Sequence, residues 1–287
     1  MFDLTLSPAN NEIFIKPGQN YLLAFQITNN SSTSLILSSS VESWQPSGSQ
    51  GEVNYHNTFM DPSISFSLNN ADLKLGENFV LHPRENKQLV LKIMVSPLSN
   101  HQDYFYTFFV HQPADKFTGQ LGGKIGAQLI ISTQDKQTES LVIKKFSATP
   151  VIKDTFIKPI NFHGYIYNNS SQFNKIAGKL TITKNDLLIE EFTLSPDTVL
   201  GGYSRLIRCA DKNTEIIPCA LKPPLWPGFY QATLSLNLPQ SPSATLNFFV
   251  FPYLILIILG ILFGFFFFFY RRLGRRQNSN RHSIGTT

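Results

Sequence analysis

The feature that most constrains this chain is an uncharged apolar run near its C-terminus, residues 248–270 (FFVFPYLILIILGILFGFFFFFY). Its 23 positions include one proline and two glycines, and they lack the polar face that a buried amphipathic helix keeps. As an α-helix the run would extend about 34 Å, enough to cross a hydrocarbon core of about 30 Å. The sequence therefore predicts a single membrane-spanning helix at 248–270.

The distribution of charge predicts the orientation of that helix. The chain has 24 Lys and Arg against 19 Asp and Glu, but five of the arginines follow the apolar run, so the part before it is neutral. A neutral domain argues against nucleic-acid binding, which needs a basic surface. Positive residues beside a span stay in the cytoplasm. We therefore expect a basic cytoplasmic tail at 271–287, anchored by Arg271, Arg272, Arg275 and Arg276, and an extracytoplasmic part before the span.

This orientation normally requires a signal peptide, and the opening MFDLTLSP has neither a basic region nor an apolar one. We expect a leader that this sequence lacks. The alternative is a tail-anchored protein with its bulk in the cytoplasm, which would have to translocate five arginines.

Before the span, apolar residues alternate with polar ones as in half-buried strands. Tyr21, Leu23, Phe25 and Ile27 follow this period of two, and so do the apolar positions of 89–95. Residues 104–109 are apolar at nearly every position, which favours a strand buried on both faces over an exposed sticky face. No convincing helical period occurs before residue 248. The fold class predicted is all-β.

Two short segments recur and indicate two domains of one kind. Residues 14–17 (FIKP) return at 156–159, and residues 29–32 (NNSS) return at 168–171, each NNSS directly after an apolar strand. Chance is the alternative in a chain rich in Asn and Ser. Since Asn and Ser favour turns, we interpret NNSS as a turn rather than as a glycosylation site. The predicted organisation is two tandem Ig-like β-sandwiches, 1–133 and 134–247, followed by the transmembrane helix.

Cys209 and Cys219 flank a plausible turn, and they form a candidate disulfide in an oxidising compartment. The alternative is a reduced pair in a hairpin, and no nearby histidine or second pair completes a metal site. The antibody-type order of cysteine, tryptophan and cysteine is absent. We expect Trp44 and Trp226 to plug the core or a corner of their domains.

No catalytic constellation stands out in the sequence. The pair His101 and Asp103 is interpreted as a surface polar cluster, and Glu190 and Glu191 lack partners at a spacing that carboxylate catalysis uses. The glycines around Lys124 precede no helix that could bind phosphate. We predict a protein that is not an enzyme and that needs no cofactor and no metal.

Within the predicted span, Gly260 and Gly264 form a GxxxG pair. Small residues at this spacing let two helices approach closely, which makes a homodimer through the span a candidate.

The order of these segments resembles a bacterial family. A Pro-Gly-Gln turn at 17–19 precedes a strand that ends in Thr-Asn, a polar turn at 82–88 precedes a second apolar strand, and LWPGFYQATLSLNL closes the second half. With the apolar run and the arginines, nearly the whole chain is similar to the WxL-interacting surface proteins. Pilus-chaperone sandwiches resemble the first domain in their sequence pattern but lack a membrane span.

The resemblance implies two Ig-like domains that bind another surface protein or a wall polymer. We therefore expect a membrane-anchored surface adaptor, with a structural spacer or an assembly subunit as the alternative. The sandwich edges and loops are the expected contact surfaces.

Overall fold

The computed structural model describes residues 3–55, 60–113, 122–134, 140–150, 153–154, 158–211 and 213–281, without the side chains of 153, 154, 254 and 272–281. These residues form 23 strands and one helix, so the all-β prediction is confirmed for the part before the helix. The elements are, in chain order, β1 (Leu4–Ser7), β2 (Asn10–Phe14), β3 (Asn20–Asn29), β4 (Leu35–Ser47), β5 (Glu52–Tyr55), β6 (Ile64–Leu68), β7 (Phe79–Leu81), β8 (Asn86–Val95), β9 (Asp103–His111), β10 (Lys124–Ser132), β11 (Leu141–Thr149), β12 (Lys153–Asp154), β13 (Ile160–Asn168), β14 (Asn174–Lys175), β15 (Gly178–Lys184), β16 (Leu187–Leu194), β17 (Thr198–Val199), β18 (Ser204–Leu206), β19 (Cys209–Ala210), β20 (Ile216–Ile217), β21 (Ala220–Leu221), β22 (Gly228–Leu236), β23 (Ser243–Phe251) and α1 (Tyr253–Arg281).

The chain divides into two compact units. The first comprises Met1–Val142, Ile166–Ile176 and Asp197–Leu206, and the second comprises Ile143–Tyr165, Ala177–Pro196 and Ile207–Thr287. Two short segments that follow the middle of the sequence thus belong with the first unit, a grouping that the linear sequence does not suggest. The predicted division at residues 133 and 134 stays a prediction, and part of the polar run proposed as its linker, 135–139, lies outside the described residues.

The first unit is a sandwich of two sheets. One sheet has the order β1-β3-β8-β6, and the other has the order β2-β10-β9-β4-β5 with β7 paired to β4. Phe25 of β3 stacks on Phe108 of β9 with 4.9 Å between ring centroids, so the sheets pack face to face. Strand β9 lies between β10 and β4, and its aromatic side chains are buried or half-buried. The prediction of a strand buried on both faces is confirmed, and 104–109 is not a sticky surface.

The two NNSS segments adopt the same hydrogen-bond pattern. The Asn29 amide donates to the Thr33 carbonyl at 2.8 Å, and its Oδ1 accepts from the Ser31 backbone N–H at 3.0 Å. The Asn168 amide likewise donates to the Gln172 carbonyl at 2.7 Å, and its Oδ1 accepts from the Ser170 N–H at 3.0 Å. Both Asn29 and Asn168 are fully buried. Each asparagine fills the interior of a turn, and its amide nitrogen donates hydrogen bonds to backbone carbonyls.

The second unit is built on a seven-stranded sheet with the order β12-β23-β22-β15-β16-β19-β20. Alternate residues of β22 and β23 are buried, which gives this sheet an inner face and an outer face. On the inner face Phe248 packs against Tyr230 and Phe162, with ring centroids 5.5 and 5.8 Å apart. Phe162 lies on β13, which pairs with β11 and with β21.

The helix begins five residues later than the span that the sequence predicts. Residues 248–251 are the end of β23, since Phe248 and Val250 are buried in the second unit while Phe249 faces outward. Only Pro252 separates this strand from α1, and the Leu256 N–H donates to the Pro252 carbonyl at 3.2 Å. Among the residues described, no helix combines the length and the apolar character needed to cross a membrane.

Candidate functional site

A tight hairpin presents the first candidate surface of the second unit. Strands β15 and β16 are joined by Asn185 and Asp186, which both have positive φ, as the mirror-image two-residue turns of β-hairpins require. The pairing continues from Lys184 and Leu187 to Lys179 and Thr193, with a bulge at Ile182 and Thr183. The hairpin therefore holds β16 firmly along one side.

Among the described residues, the other side of β16 is largely open. Its second neighbour, β19, pairs with Thr193 and Leu194 alone among the described residues. We call the remaining part, Leu187–Phe192, the open edge. Three consecutive large apolar side chains mark it, because Leu187, Leu188 and Ile189 are 70%, 61% and 42% exposed. An edge with unpaired backbone groups and apolar side chains is a template for another strand.

The open edge changes character toward its C-terminal half. Glu190 and Glu191 are both exposed, and the Lys179 ammonium donates to the Glu191 carboxylate at 3.0 Å. This hydrogen bond lowers the pKa of Glu191, so the carboxylate is charged at neutral pH. The two glutamates have no catalytic spacing in the sequence, and the structure places both on the exposed edge of β16. The open edge thus offers an apolar half and an acidic half.

The second candidate surface lies on the outer face of the same sheet. Phe229, Phe249, Phe251 and Tyr253 form a continuous row, with centroid distances of 4.6, 5.8 and 5.1 Å between successive rings. We call these four residues the aromatic ridge. It starts on β22, crosses to β23 and ends on the first residue of α1. Phe229 is 73% exposed, so the ridge is a surface and not part of the core.

Trp226 is not the plug that the sequence predicts. It is 78% exposed, in the segment that leads into β22. The corner is filled by Tyr230 instead, which is buried and donates its hydroxyl to the Trp226 carbonyl at 2.7 Å. Burial raises the pKa of Tyr230. Trp44 does plug the first unit: it is buried, stacks on Phe105 and donates its indole N–H to the Tyr106 carbonyl at 2.8 Å.

The two cysteines are joined in the structure. The Cys209 and Cys219 sulfurs form a disulfide, with 5.2 Å between the Cα atoms, and both side chains are buried. The bond closes the segment that contains the hairpin of β19 and β20. Asp211 shapes that hairpin by accepting hydrogen bonds from the backbone N–H groups of Asn213 and Glu215 at 2.8 and 2.9 Å. The disulfide therefore fixes the short strand that limits the open edge.

Among the described residues, no contact tests the roles predicted for the glycines and arginines of α1. A Cβ atom built on Gly260 or Gly264 would meet nothing within 4 Å, so this face of α1 is uncovered. Arg271 lies near the Phe267 ring, with 6.0 Å from its Cζ to the ring centroid. Arg272, Arg275 and Arg276 belong to α1, but their side chains lie outside the described part of the chain.

His101 and Asp103, predicted to form a surface polar cluster, lie at the surface of the first unit, where His101 is exposed and Asp103 is half-buried. Asp103 Oδ2 accepts a hydrogen bond from the Phe173 backbone N–H at 2.6 Å, and His101 Nδ1 lies 3.3 Å from the Thr133 carbonyl oxygen. Burial raises the pKa of Asp103, and hydrogen bonds from Ser132 and Phe173 oppose that rise. Within the described residues no three His, Cys, Asp or Glu side chains are grouped as metal ligands.

No protein-family model and no curated protein matches this sequence. Among solved structures, the class 5 fimbriae chaperone CfaA is similar at 11% identity and a TM-score of 0.41, over 87% of this chain and 100% of that one. The E. coli chaperone DraB is 11% identical with a TM-score of 0.39, over 86% and 96%. The PapD-like domain 7 of human CEP192 is 12% identical with a TM-score of 0.31, over 47% and 87%. These likenesses are distant.

Proposed function

We propose that this chain is a membrane-anchored surface adaptor whose second unit binds an extended polypeptide by strand addition. The observation that carries the proposal is the open edge, where β16 is paired on one side and exposes three consecutive large apolar residues. A partner strand would satisfy the free backbone groups of β16, and its side chains would supply specificity. Covering one exposed leucine contributes about 1.5–3 kcal/mol.

The two halves of the open edge define the chemistry of the partner. Leu187, Leu188 and Ile189 favour apolar side chains, while the carboxylate of Glu190 favours a basic residue at one end of the added strand. Main-chain pairing favours a protein over a wall polymer. The resemblance to WxL-interacting proteins implies the same class of partner, and we therefore propose a surface protein that carries an extended apolar and basic segment.

The proposed anchor is α1, and its support is the sequence. Residues 253–270 carry no charged side chain, and five arginines follow them. At 1.5 Å per residue these 18 positions extend about 27 Å, close to the hydrocarbon thickness of about 30 Å. The arginines favour a cytoplasmic C-terminus, and a disulfide between Cys209 and Cys219 suits an extracytoplasmic second unit.

The test compares two variants of the full chain in detergent, immobilised through a C-terminal tag. Leu188→Lys places a charge on the open edge, whereas Leu98→Lys places the same charge on a 91% exposed leucine of the first unit. The chains are exposed to a surface-protein extract and, separately, to purified wall sacculi. We expect one defined protein to bind the unmodified chain and Leu98→Lys, and to bind Leu188→Lys roughly ten- to hundredfold more weakly.

Other outcomes would contradict the proposal in distinct ways. Equal binding by both variants would remove the open edge as the site. Retention of sacculi instead of a protein would make a wall polymer the ligand. A folded chain that retains nothing would favour the spacer or assembly subunit.

A further inference from the structure

The outer face of the seven-stranded sheet changes from polar to aromatic along its strands. Far from α1, the cross-strand pairs are Ser235 with Ser243 and Thr233 with Thr245. Next comes Gln231, whose amide donates to the side chain of Asn247 at 3.1 Å. The pair closest to α1 is Phe229 with Phe249, at the start of the aromatic ridge. The outer face of the sheet therefore becomes less polar, pair by pair, toward the apolar helix.

The link between sheet and helix leaves little freedom at this end. Pro252 is the single residue between β23 and α1, and the ring of Phe251 touches the ring of Tyr253 with 5.1 Å between centroids. A flexible linker of several residues would let the second unit move away from the bilayer. One proline, with its fixed φ, does not. Any surface that α1 enters must therefore lie directly beside the aromatic ridge.

The length of α1 predicts how deeply the aromatic ridge lies in the lipid bilayer. The uncharged part of α1, residues 253–270, extends about 27 Å, which is about 3 Å less than the hydrocarbon core. The headgroup region adds about 5–7 Å on each side. Phe251 lies two strand residues before Tyr253, a rise of about 7 Å, so its ring falls at headgroup depth. Phe249 and its neighbour Phe229 lie about 13 Å from Tyr253 along the strand, so they reach the headgroup region when the sheet is inclined toward the bilayer surface.

Trp226 lies near the same end of the sheet as the aromatic ridge. It precedes Gly228, which pairs with Val250, so it lies toward the end of the sheet where α1 begins. The Lys184 ammonium donates to the carbonyl of the next residue, Pro227, at 3.0 Å. Tryptophan and tyrosine favour the membrane interface because one part of each ring is apolar and the other polar.

We infer that the aromatic ridge and Trp226 seat the second unit directly on the headgroup region of the lipid bilayer that α1 enters. This inference rests on the proposed membrane anchor and adds a second contact to it. The unit is then held against the membrane by its folded surface and not only tethered to it. The open edge, on β16 at the far side of β15 from β22, keeps a defined height and orientation above the lipid.

The experiment uses the full chain reconstituted in phosphatidylcholine vesicles, and its signal is the fluorescence of Trp226. The chain has two tryptophans, and Trp44 is buried in the first unit, so the difference between the unmodified chain and Trp226→Phe isolates the exposed indole. Vesicles contain lipids with bromine atoms near the headgroup end or near the methyl end of the acyl chains. We expect the emission of Trp226 to be lost mainly to bromine near the headgroups.

A pair of double variants tests the ridge itself. Phe229→Ser with Phe249→Ser removes two exposed rings, and Gln231→Ser with Asn247→Ser makes the matched change on the neighbouring row. Because all four side chains are exposed on the outer face, both variants should fold. We expect the first variant to lose most of the quenching of Trp226 and the second to keep it.

Flotation of the vesicles separates the two ways in which this reasoning could fail. If the chain does not float with the vesicles, the proposed anchor is wrong and the inference falls with it. If it floats but bromine near the headgroups leaves Trp226 unquenched, the anchor stands and the seating of the second unit is overturned. Equal quenching in both double variants would also overturn the role of the ridge.

Discussion

Replacing Asn29 by alanine should destabilise the first unit far more than the same change at its neighbour Asn30. The Asn29 amide donates to the carbonyls of Thr33, Leu81 and His82 at 2.8, 3.1 and 3.0 Å. Its Oδ1 accepts from the backbone N–H and the hydroxyl of Ser31 at 3.0 and 2.6 Å. Asn29→Ala therefore removes the partner of several backbone groups that water cannot easily reach.

The expected magnitude follows from the number of those groups that are buried. The contacts with the Leu81 carbonyl and the Ser31 N–H are buried, and an unsatisfied buried group costs about 1–3 kcal/mol. Asn29→Ala should thus lower the free energy of unfolding by about 2–5 kcal/mol. The Asn30 amide donates to the side chains of Asp3 and Thr5 in exposed contacts, so Asn30→Ala should cost at most about 0.5 kcal/mol.

The assay is chemical unfolding of the full chain in detergent, in a Trp226→Phe background. Trp44 is then the single tryptophan, and its buried, hydrogen-bonded indole reports on the first unit. We expect a large fall in the transition midpoint for Asn29→Ala and almost none for Asn30→Ala. Equal midpoints for the two variants would refute the argument that the NNSS turn depends on its first asparagine.

Three further predictions concern a half-buried carboxyl, the disulfide and the helix. Because burial raises the pKa of Asp103, the folded chain holds more protons than the unfolded chain above the usual aspartate range, and stability falls as pH rises through the raised pKa. Asp103→Asn should abolish that fall in pH-dependent unfolding curves, and an unchanged curve would contradict it. Alanine at both Cys209 and Cys219 should lower the unfolding free energy, measured by circular dichroism, by about 2–3 kcal/mol, and an unchanged value would show that the loop gains nothing from closure. Leucine at Gly260 and Gly264 should lower the fraction of crosslinked dimer in detergent, and an unaffected fraction would remove this face of α1 from any dimer.

Local patterns were sufficient for much of the fold. The period of two in 89–95 predicts which side chains of β8 are buried, and Leu89, Leu91 and Ile93 are fully buried. The run 104–109, apolar at nearly every position, predicts a strand buried on both faces, and β9 lies between two other strands of its sheet. Both signals arise because a side chain of a strand faces one side or the other, whatever the partner strands are. Neither signal says which strands pair.

The open edge and the position of Trp226 depend on contacts that no local pattern encodes. Three apolar residues at 187–189 favour a strand, but their exposure depends on β19, which lies fifteen or more residues further along the chain and pairs with the end of β16 alone. Trp226 looks like a corner plug because it is large and lies among prolines. Tyr230 occupies that corner instead, since its hydroxyl reaches the Trp226 carbonyl and satisfies it.

The boundary between β23 and α1 shows why the apolar run 248–270 predicts the wrong first residue for the helix. Phenylalanine and valine at 248–251 suit a buried strand and an apolar helix equally, so hydropathy alone extends the helix backwards through them. The one local sign of the boundary is Pro252, because proline disfavours the helical conformation in the residue before it and is common where helices begin. Phe251 thus ends the strand and Tyr253 begins the helix. The consequence is physical: residues that hydropathy would assign to a membrane helix belong to the folded unit, and the outward rings of Phe249 and Phe251 lie on its surface beside the start of α1.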